Sequence, residues 1–279
     1  MQERTFHLTA QDGLGLTGSV WEVKKPRALL LWLHGFAEHR RRYLHFARWL
    51  SEKKIALAAV DLRGHGESEG KRGHIKKFED YFRDVTAFLH WARNTHPNTK
   101  YILGSHSHGG LVAARYVEEG ALPLSLAALV MTGPFLGLAS PPPGWQKDLV
   151  LRASRVLPSL AIPAGIDPDF LSHDKDVVMA YKHDPLVFRS ARARWLAEVF
   201  KHQRLAQSKA PSIKIPTLVM QGLGDRVVDP QASRRFYGAL ETKKHWIGYD
   251  EAYHEILNEP DRESVYRDMF DWLKKSARV

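Results

Sequence analysis

The stretch that most constrains this chain is Tyr101-Ile102-Leu103-Gly104-Ser105-His106-Ser107-His108-Gly109-Gly110. An apolar run of strand length ends in small and polar residues, and the glycines behind it let the backbone reverse tightly into a helix that starts near Gly109. A strand that stops this way throws Ser107 into a sharp turn. The turn exposes the serine hydroxyl and aims free main-chain N–H groups at whatever that hydroxyl attacks. The usual pattern for such an elbow is G-x-S-x-G; here Ser105 takes the first glycine position and is small enough to keep the turn. Ser105 precedes the turn and points into the sheet, which makes it the weaker nucleophile candidate.

An elbow of this kind needs a sheet with helices behind it, and the rest of the chain supplies both. Apolar, β-branched runs predict strands at Thr5–Ala10, Leu16–Val23, Ala28–His34, Ile55–Asp61, Tyr101–Ser105, Leu126–Thr132, Pro216–Gly222 and His245–Tyr249. Amphipathic stretches predict helices at Arg42–Lys53, Phe78–His96, Gly110–Glu119, Pro230–Leu240 and Arg262–Ala277. Asp12-Gly13 with Gly15 marks a hairpin turn, so the first strands pair antiparallel. The alternation elsewhere predicts an α/β fold, a mostly parallel eight-stranded sheet flanked by helices. The rhythm breaks between Gly137 and Pro216, in a segment that opens with Pro141-Pro142-Pro143-Gly144 and offers two helices, Gln146–Leu157 and Ala191–Ala206, but no strong strand. The organisation expected is a core of residues 1–137 and 212–279, with residues 138–211 inserted after the sixth strand as a helical cap over the C-terminal edge of the sheet.

A serine hydroxyl is a poor nucleophile until a base takes its proton, and a histidine does this best when a carboxylate fixes its tautomer. On this scaffold the partners follow in the order Ser, Asp, His at later strand ends. Strand Leu218–Gly222 runs into Leu223-Gly224-Asp225, and Trp246–Tyr249 runs into Asp250-Glu251-Ala252-Tyr253-His254. Asp225, inside a glycine-flanked turn, is the leading carboxylate; Asp229 and Asp250 are alternatives. His254 is the base. The oxyanion donors expected are the main-chain N–H of Phe36, in the loop His34-Gly35-Phe36-Ala37-Glu38-His39, and that of His108 directly after the nucleophile.

Composition narrows the class further. With 279 residues, 44% of them hydrophobic and 26% charged, the chain has enough apolar material for one large core. There is no cysteine, which removes thiol catalysis and disulfides. The net charge of +10 comes from scattered Lys and Arg without a zinc-finger, helix-turn-helix or RNA-recognition pattern, so no nucleic-acid partner is expected. His34, His39, His106 and His108 lack metal-ligand spacing, and neither a metal nor a cofactor is expected. His106 is read as packing beneath the turn and His108 as bordering the pocket. The polar start Met1-Gln2-Glu3-Arg4-Thr5 and the lack of a long apolar run predict a cytoplasmic protein, with the positive charge favouring transient peripheral contact with anionic membrane. The oligomeric state stays open.

With these residues in place, the chain resembles the α/β-hydrolase superfamily, and within it the monoacylglycerol lipase and bacterial lysophospholipase group. The landmarks are His34–His39 with Arg42-Tyr43, Asp61-Leu62-Arg63-Gly64-His65-Gly66-Glu67-Ser68-Glu69-Gly70, and Arg72-Gly73-His74-Ile75 with Phe78 and Asp80-Tyr81. The elbow, the Asp225 loop and His254-Glu255-Ile256-Leu257-Asn258-Glu259-Pro260 complete them. The group usually shows Gly-His-Ser-Met-Gly-Gly at the elbow, so His108 stands where a methionine normally lines the pocket. The resemblance implies a cofactor-free serine hydrolase for a small acyl ester or monoacyl lipid, whose cap forms a hydrophobic acyl entrance. Apolar cap residues Leu149, Leu151, Val156, Leu157, Leu160 and Ile162 suit that entrance. Expected substrate contacts are Phe36, His108, Leu149, Leu157, Leu160, Ile162 and Val228. Rival readings are a short-chain carboxylesterase, a proline-iminopeptidase-like peptidase and a non-catalytic binding protein on the same fold.

Overall fold

The computed structural model describes residues 1–120 and 122–279. Period-two alternation builds its sheet. In β3 (Ala28–Leu33), Leu29, Leu31 and Leu33 enter one core layer while Ala28, Leu30 and Trp32 enter the other. A strand covered on both faces reads as a continuous apolar run for this reason. The same holds for β4 (Ile55–Val60), β5 (Lys100–His106), β6 (Leu126–Thr132) and β9 (Thr217–Gly222). With β1 (Gln2–Thr9), β2 (Gly15–Glu22) and β10 (Lys244–Tyr249) they form an eight-stranded sheet in the order β1-β2-β4-β3-β5-β6-β9-β10. β1 pairs antiparallel with β2, and β2 with β4; the six strands from β4 to β10 in that order run parallel.

Helices cover both faces. α2 (Asp80–Thr95) and α3 (His108–Glu118) bury Phe88, Leu89, Leu111 and Val112 against one layer; α1 (Leu44–Glu52) and α8 (Arg262–Ser276) bury Phe46, Leu50, Tyr266 and Met269 against the other. α7 (Pro230–Ala239) packs Phe236 into the first layer. α2 begins two residues later than its periodicity predicts. The Asp80 carboxylate accepts the main-chain N–H of Lys76 and Lys77, each at 3.1 Å, and holds the preceding residues in a turn.

Strand order changes direction between β4 and β5, both of which flank β3. The crevice at such a switch point lies beyond the C-terminal strand ends. The loops after β3 and β5 meet there, with those after β9 and β10 on the same rim. Over this rim lies the segment between β6 and β9. It holds α4 (Gly144–Val156), β7 (Ala161–Pro163), α5 (Lys175–His183), β8 (Ser190–Arg192) and α6 (Ala193–Lys209). The sequence reading expects two helices here and no strand. The additions are α5 and the three-residue antiparallel pair β7–β8. α5 is signalled only by its cap: the Asp174 side chain accepts from the N–H groups of Asp176 and Val177.

Candidate active site

Ser107 sits at φ 51°, ψ −117°, in the left-handed region that a non-glycine residue rarely enters. The elbow is fixed from several sides. Ser107 N–H donates to the Thr132 carbonyl at 3.0 Å, and the Ser107 carbonyl accepts from Gly110 and Phe135, each at 2.9 Å. Gly109 lets α3 start directly beneath β3: a Cβ there would lie 2.3 Å from the Leu33 carbonyl oxygen.

The structure brings His254 and Asp225 to this serine. His254 Nε2 lies 2.9 Å from Ser107 Oγ, and His254 Nδ1 lies 2.7 Å from Asp225 Oδ2. The Asp225 carboxylate also accepts Val227 N–H at 2.8 Å, Val228 N–H at 2.9 Å and Gln221 Nε2 at 2.9 Å. A carboxylate with this many donors is fixed in place. It therefore takes the Nδ1 proton of His254 as a hydrogen bond and leaves Nε2 free to accept from Ser107. The alternative carboxylates lie elsewhere: Asp229 caps α7 through Gln231 N–H and pairs with Arg235, and Asp250 is solvent-exposed.

Burial works against an imidazolium at His254. The Asp225 charge and hydrogen bond, helped by Glu255 and Glu38, outweigh it and hold the group above its ordinary value. His106 shows the opposite balance. Its ring centroid lies 4.7 Å from that of His254, and its Nδ1 donates to the Thr132 carbonyl at 3.1 Å. Burial and the His254 charge push it down to about 4, so it stays neutral beneath the turn.

One buried arginine ties the loop after β3 to the loop after β10. Arg42 donates to Glu38 Oε2 at 2.8 Å and grips Glu255 with both arms, at 2.6 and 2.8 Å. Glu38 in turn accepts Gly35 N–H at 2.5 Å and the Tyr43 hydroxyl at 2.6 Å, which orients the backbone leading into Phe36. The main-chain N–H groups of Phe36 and His108 take no partner among the described residues. Sequence reasoning uses Arg42 and Glu255 only as landmarks; their separation in the chain hides the bond between them.

Above Ser107 opens a cavity of about 390 Å³ walled by Phe36, Phe135, Leu138, Val150, Ile162, Ile166, Trp195, Leu196 and Phe200, with Arg226 and Val227 on one side. Phe36 and Ile162 are where the sequence places them. The other expected contacts are not on this wall. Leu149, Leu157 and Leu160 are 60%, 60% and 45% exposed on the outside of the insertion; for Leu149 the reason is that α4 turns Val150 to the wall and buries Ser154 instead. Val228 is fully buried behind Val227, whose neighbour position in the extended loop faces the cavity. His108 is fully buried beside Phe36, Phe78, Tyr81 and Trp195, not on the wall. Neither of its ring nitrogens has a hydrogen-bond partner among the described residues, and burial drives its pKa down to about 3. The wall residues missed by sequence, Trp195 and Phe200 foremost, lie in the predicted Ala191–Ala206 helix, whose inner face periodicity alone could have assigned.

A smaller recess on the other side of Ser107 is bordered by Glu38, His106, Tyr181, His254 and Glu255. Away from both, Glu79, Glu198 and His202 bring their ligating atoms within 4.8 Å of one another. Arg115 Nε donates to His202 Nδ1 at 3.2 Å, which leaves the ring proton on Nε2, the nitrogen that faces the carboxylates. Those carboxylates therefore meet an N–H and not a free lone pair, and the group does not suit a metal ion.

This sheet, with its nucleophile elbow after β5, an acid after β9 and a histidine after β10, is the α/β-hydrolase fold. The chain belongs to the α/β-hydrolase family described as serine aminopeptidase, S33, which matches residues 24–261. Among its relatives, phospholipase YtpA of Bacillus subtilis is 32% identical over 250 residues, covering 88% of this chain and 95% of the relative. A monoacylglycerol lipase of Mycolicibacterium smegmatis is 32% identical over 268 residues, covering 94% and 93%. The crystal structure of Paleococcus ferrophilus monoacylglycerol lipase superposes with a TM-score of 0.82 at 28% identity, covering 99% of this chain and 100% of that one.

Proposed function

We propose that this chain is a serine ester hydrolase that cleaves the acyl ester of monoacyl lipids. The observation that carries the reading is the Ser107–His254–Asp225 hydrogen-bond chain at the floor of an apolar cavity. Ser107 Oγ attacks the ester carbonyl while His254 Nε2 takes its proton, and Asp225 stabilises the imidazolium. The tetrahedral oxyanion rests on the Phe36 and His108 main-chain N–H groups. Collapse of this intermediate breaks the bond to the alcohol, which leaves with the proton from His254. Water, deprotonated by the same ring, then attacks the acyl-enzyme and releases the fatty acid.

Residues 138–211 act in this reading as a cap whose inner wall, Ile162, Trp195 and Phe200 among it, holds the acyl chain. The outside of the cap serves a second purpose. Trp145, Leu149 and Val156 are 67%, 60% and 77% exposed and lie on one stripe of α4, with Leu157 beyond it. An outward apolar stripe with Arg152 within it and Arg155 beside it fits transient docking on an anionic membrane. No helix among the described residues is long and apolar enough to cross one. A peptidase fits less well, since among the described residues the cavity wall carries no carboxylate to receive a peptide amino terminus and Arg226 would repel it.

The test is a fluorophosphonate probe combined with hydrolysis of monoacylglycerols, lysophospholipids, short esters and aminoacyl amides. Labelling of Ser107 with turnover rising along the acyl series is expected. Turnover confined to short esters, or to the amides, would defeat the proposal.

A further inference from the structure

Arg226 directly follows the carboxylate that holds His254 and is the one charged residue on the wall of the acyl cavity among the described residues. Among the described residues it also has no ion-pair partner, the flanking Asp225 and Asp229 being paired with His254 and Arg235. Its Cζ lies 4.8 Å from the ring centroid of Phe170 and 5.9 Å from that of Tyr253, the residue before His254. These two half-buried rings hold the guanidinium at the rim by cation–π attraction and leave its N–H groups free. Of the acidic side chains on the segments that carry these rings, Asp169 pairs with Lys182, Asp174 with Arg262 and Glu259 with His173, and none pairs with Arg226 among the described residues. His173 in turn stacks on Tyr253 at 3.7 Å, which stiffens the platform from behind.

A solvated arginine on an ordinary surface needs no explanation. One held on two aromatic rings at the rim of a lipid cavity, next to the catalytic residues, is positioned for a ligand. The guanidinium fork matches the paired oxygens of a phosphate. We infer that Arg226 is a specificity-determining residue that binds the phosphate of an anionic head group, so that the preferred substrate is an anionic lysophospholipid. The inference rests on the ester-hydrolase reading above and names its substrate class.

The test compares kcat/KM for lysophosphatidylglycerol and for a monoacylglycerol of the same acyl chain, both presented in the same neutral detergent micelle. Three proteins are needed: the unmodified enzyme, Arg226→Gln and Arg234→Gln. Arg234 is a matched control, because its Cζ also stacks on aromatic rings, those of Tyr237 and Trp246, but it is not on the cavity wall. Losing one charge-assisted contact at a partly solvated rim is expected to lower the lysolipid-to-monoacylglycerol ratio about tenfold in Arg226→Gln, chiefly through KM. Arg234→Gln should leave that ratio in place, and raising salt to about 0.5 M should compress it in the unmodified enzyme. An unchanged ratio in Arg226→Gln, or an equal fall in both variants, overturns the head-group assignment while the hydrolase reading stands. If the unmodified enzyme turns over neither lipid and Ser107 resists the fluorophosphonate, the hydrolase reading fails and takes this inference with it.

Discussion

The strand-end rim and the inserted segment above it use apolar residues in opposite ways. On the rim, period-two alternation points inward on both faces, and the loops between carry the polar groups that meet around Ser107. On α4, the clearest apolar stripe, Trp145 with Leu149 and Val156, points away from the protein. The side of the helix turned inward holds Val150 and buried Ser154, with the Lys147 ammonium over the Phe200 ring at 5.3 Å. Periodicity reports which face is apolar. It does not report whether the partner of that face is this chain or something else.

Five experiments would break or sharpen the contrast. Ser107→Ala should abolish probe labelling and lower kcat by about 10⁴-fold or more, because the remaining groups only bind and polarise the ester. Residual turnover near the unmodified rate would separate the rim geometry from catalysis altogether. Next, Arg42→Met leaves Glu38 and Glu255 as unpaired buried carboxylates, since both are held below the usual carboxylate range against the push of burial by the Arg42 charge. A loss of about 3–5 kcal/mol in denaturant unfolding is expected, with a fall in kcat from the loosened Phe36 loop. On the insertion, Trp145→Ser with Leu149→Ser should weaken binding to anionic vesicles about tenfold while hydrolysis of a soluble short ester persists. Equal loss of both would mean that this face supports the fold and not docking.

The smallest effects concern protons. With His254 held above its ordinary value, kcat/KM should rise with pH along a single ionisation whose midpoint lies above 6.5, the base being active only when neutral. Stability should move with pH as well. His34, His65, His106, His108 and His202 all have folded pKa values below 6.5. The unfolded chain binds more protons than the folded one at these sites below about pH 6.5, so stability falls as pH drops from there toward 4. His108→Met, which removes two unpartnered buried nitrogens, should raise stability by about 1–2 kcal/mol and flatten part of that decline. A steeper decline in the variant would mean that His108 is not the neutral, unpartnered ring it is here.

Much of the sheet and the three residues meeting at its edge were legible because their causes are local. Asp225 and His254 each follow a strand that could be read from its own composition, and parallel strands must end on a common side. The eight strands were recognisable for the same reason, although β1 starts at Gln2 and not Thr5, its ladder with β2 running on to the pair Gln2–Glu22. The contacts that could not be read are long-range. Arg42 and Glu255 stand at opposite ends of the chain, and nothing in either neighbourhood names the other. His108 looked like a pocket residue by its place beside the nucleophile, but the start of α3 turns its side chain down among aromatic rings. Leu149 failed for a third reason, since it lies on a helix whose apolar face lacks a partner within the fold.

The grip of Arg42 on Glu38 and Glu255 has a consequence for redesign. Any scheme that transplants the His34–Arg42 segment into another hydrolase must carry a matching acid on the far loop, or Arg42 arrives with Glu38 alone and the two-armed hold between the loops is lost. The two segments are one exchangeable unit, although more than two hundred positions of sequence divide them.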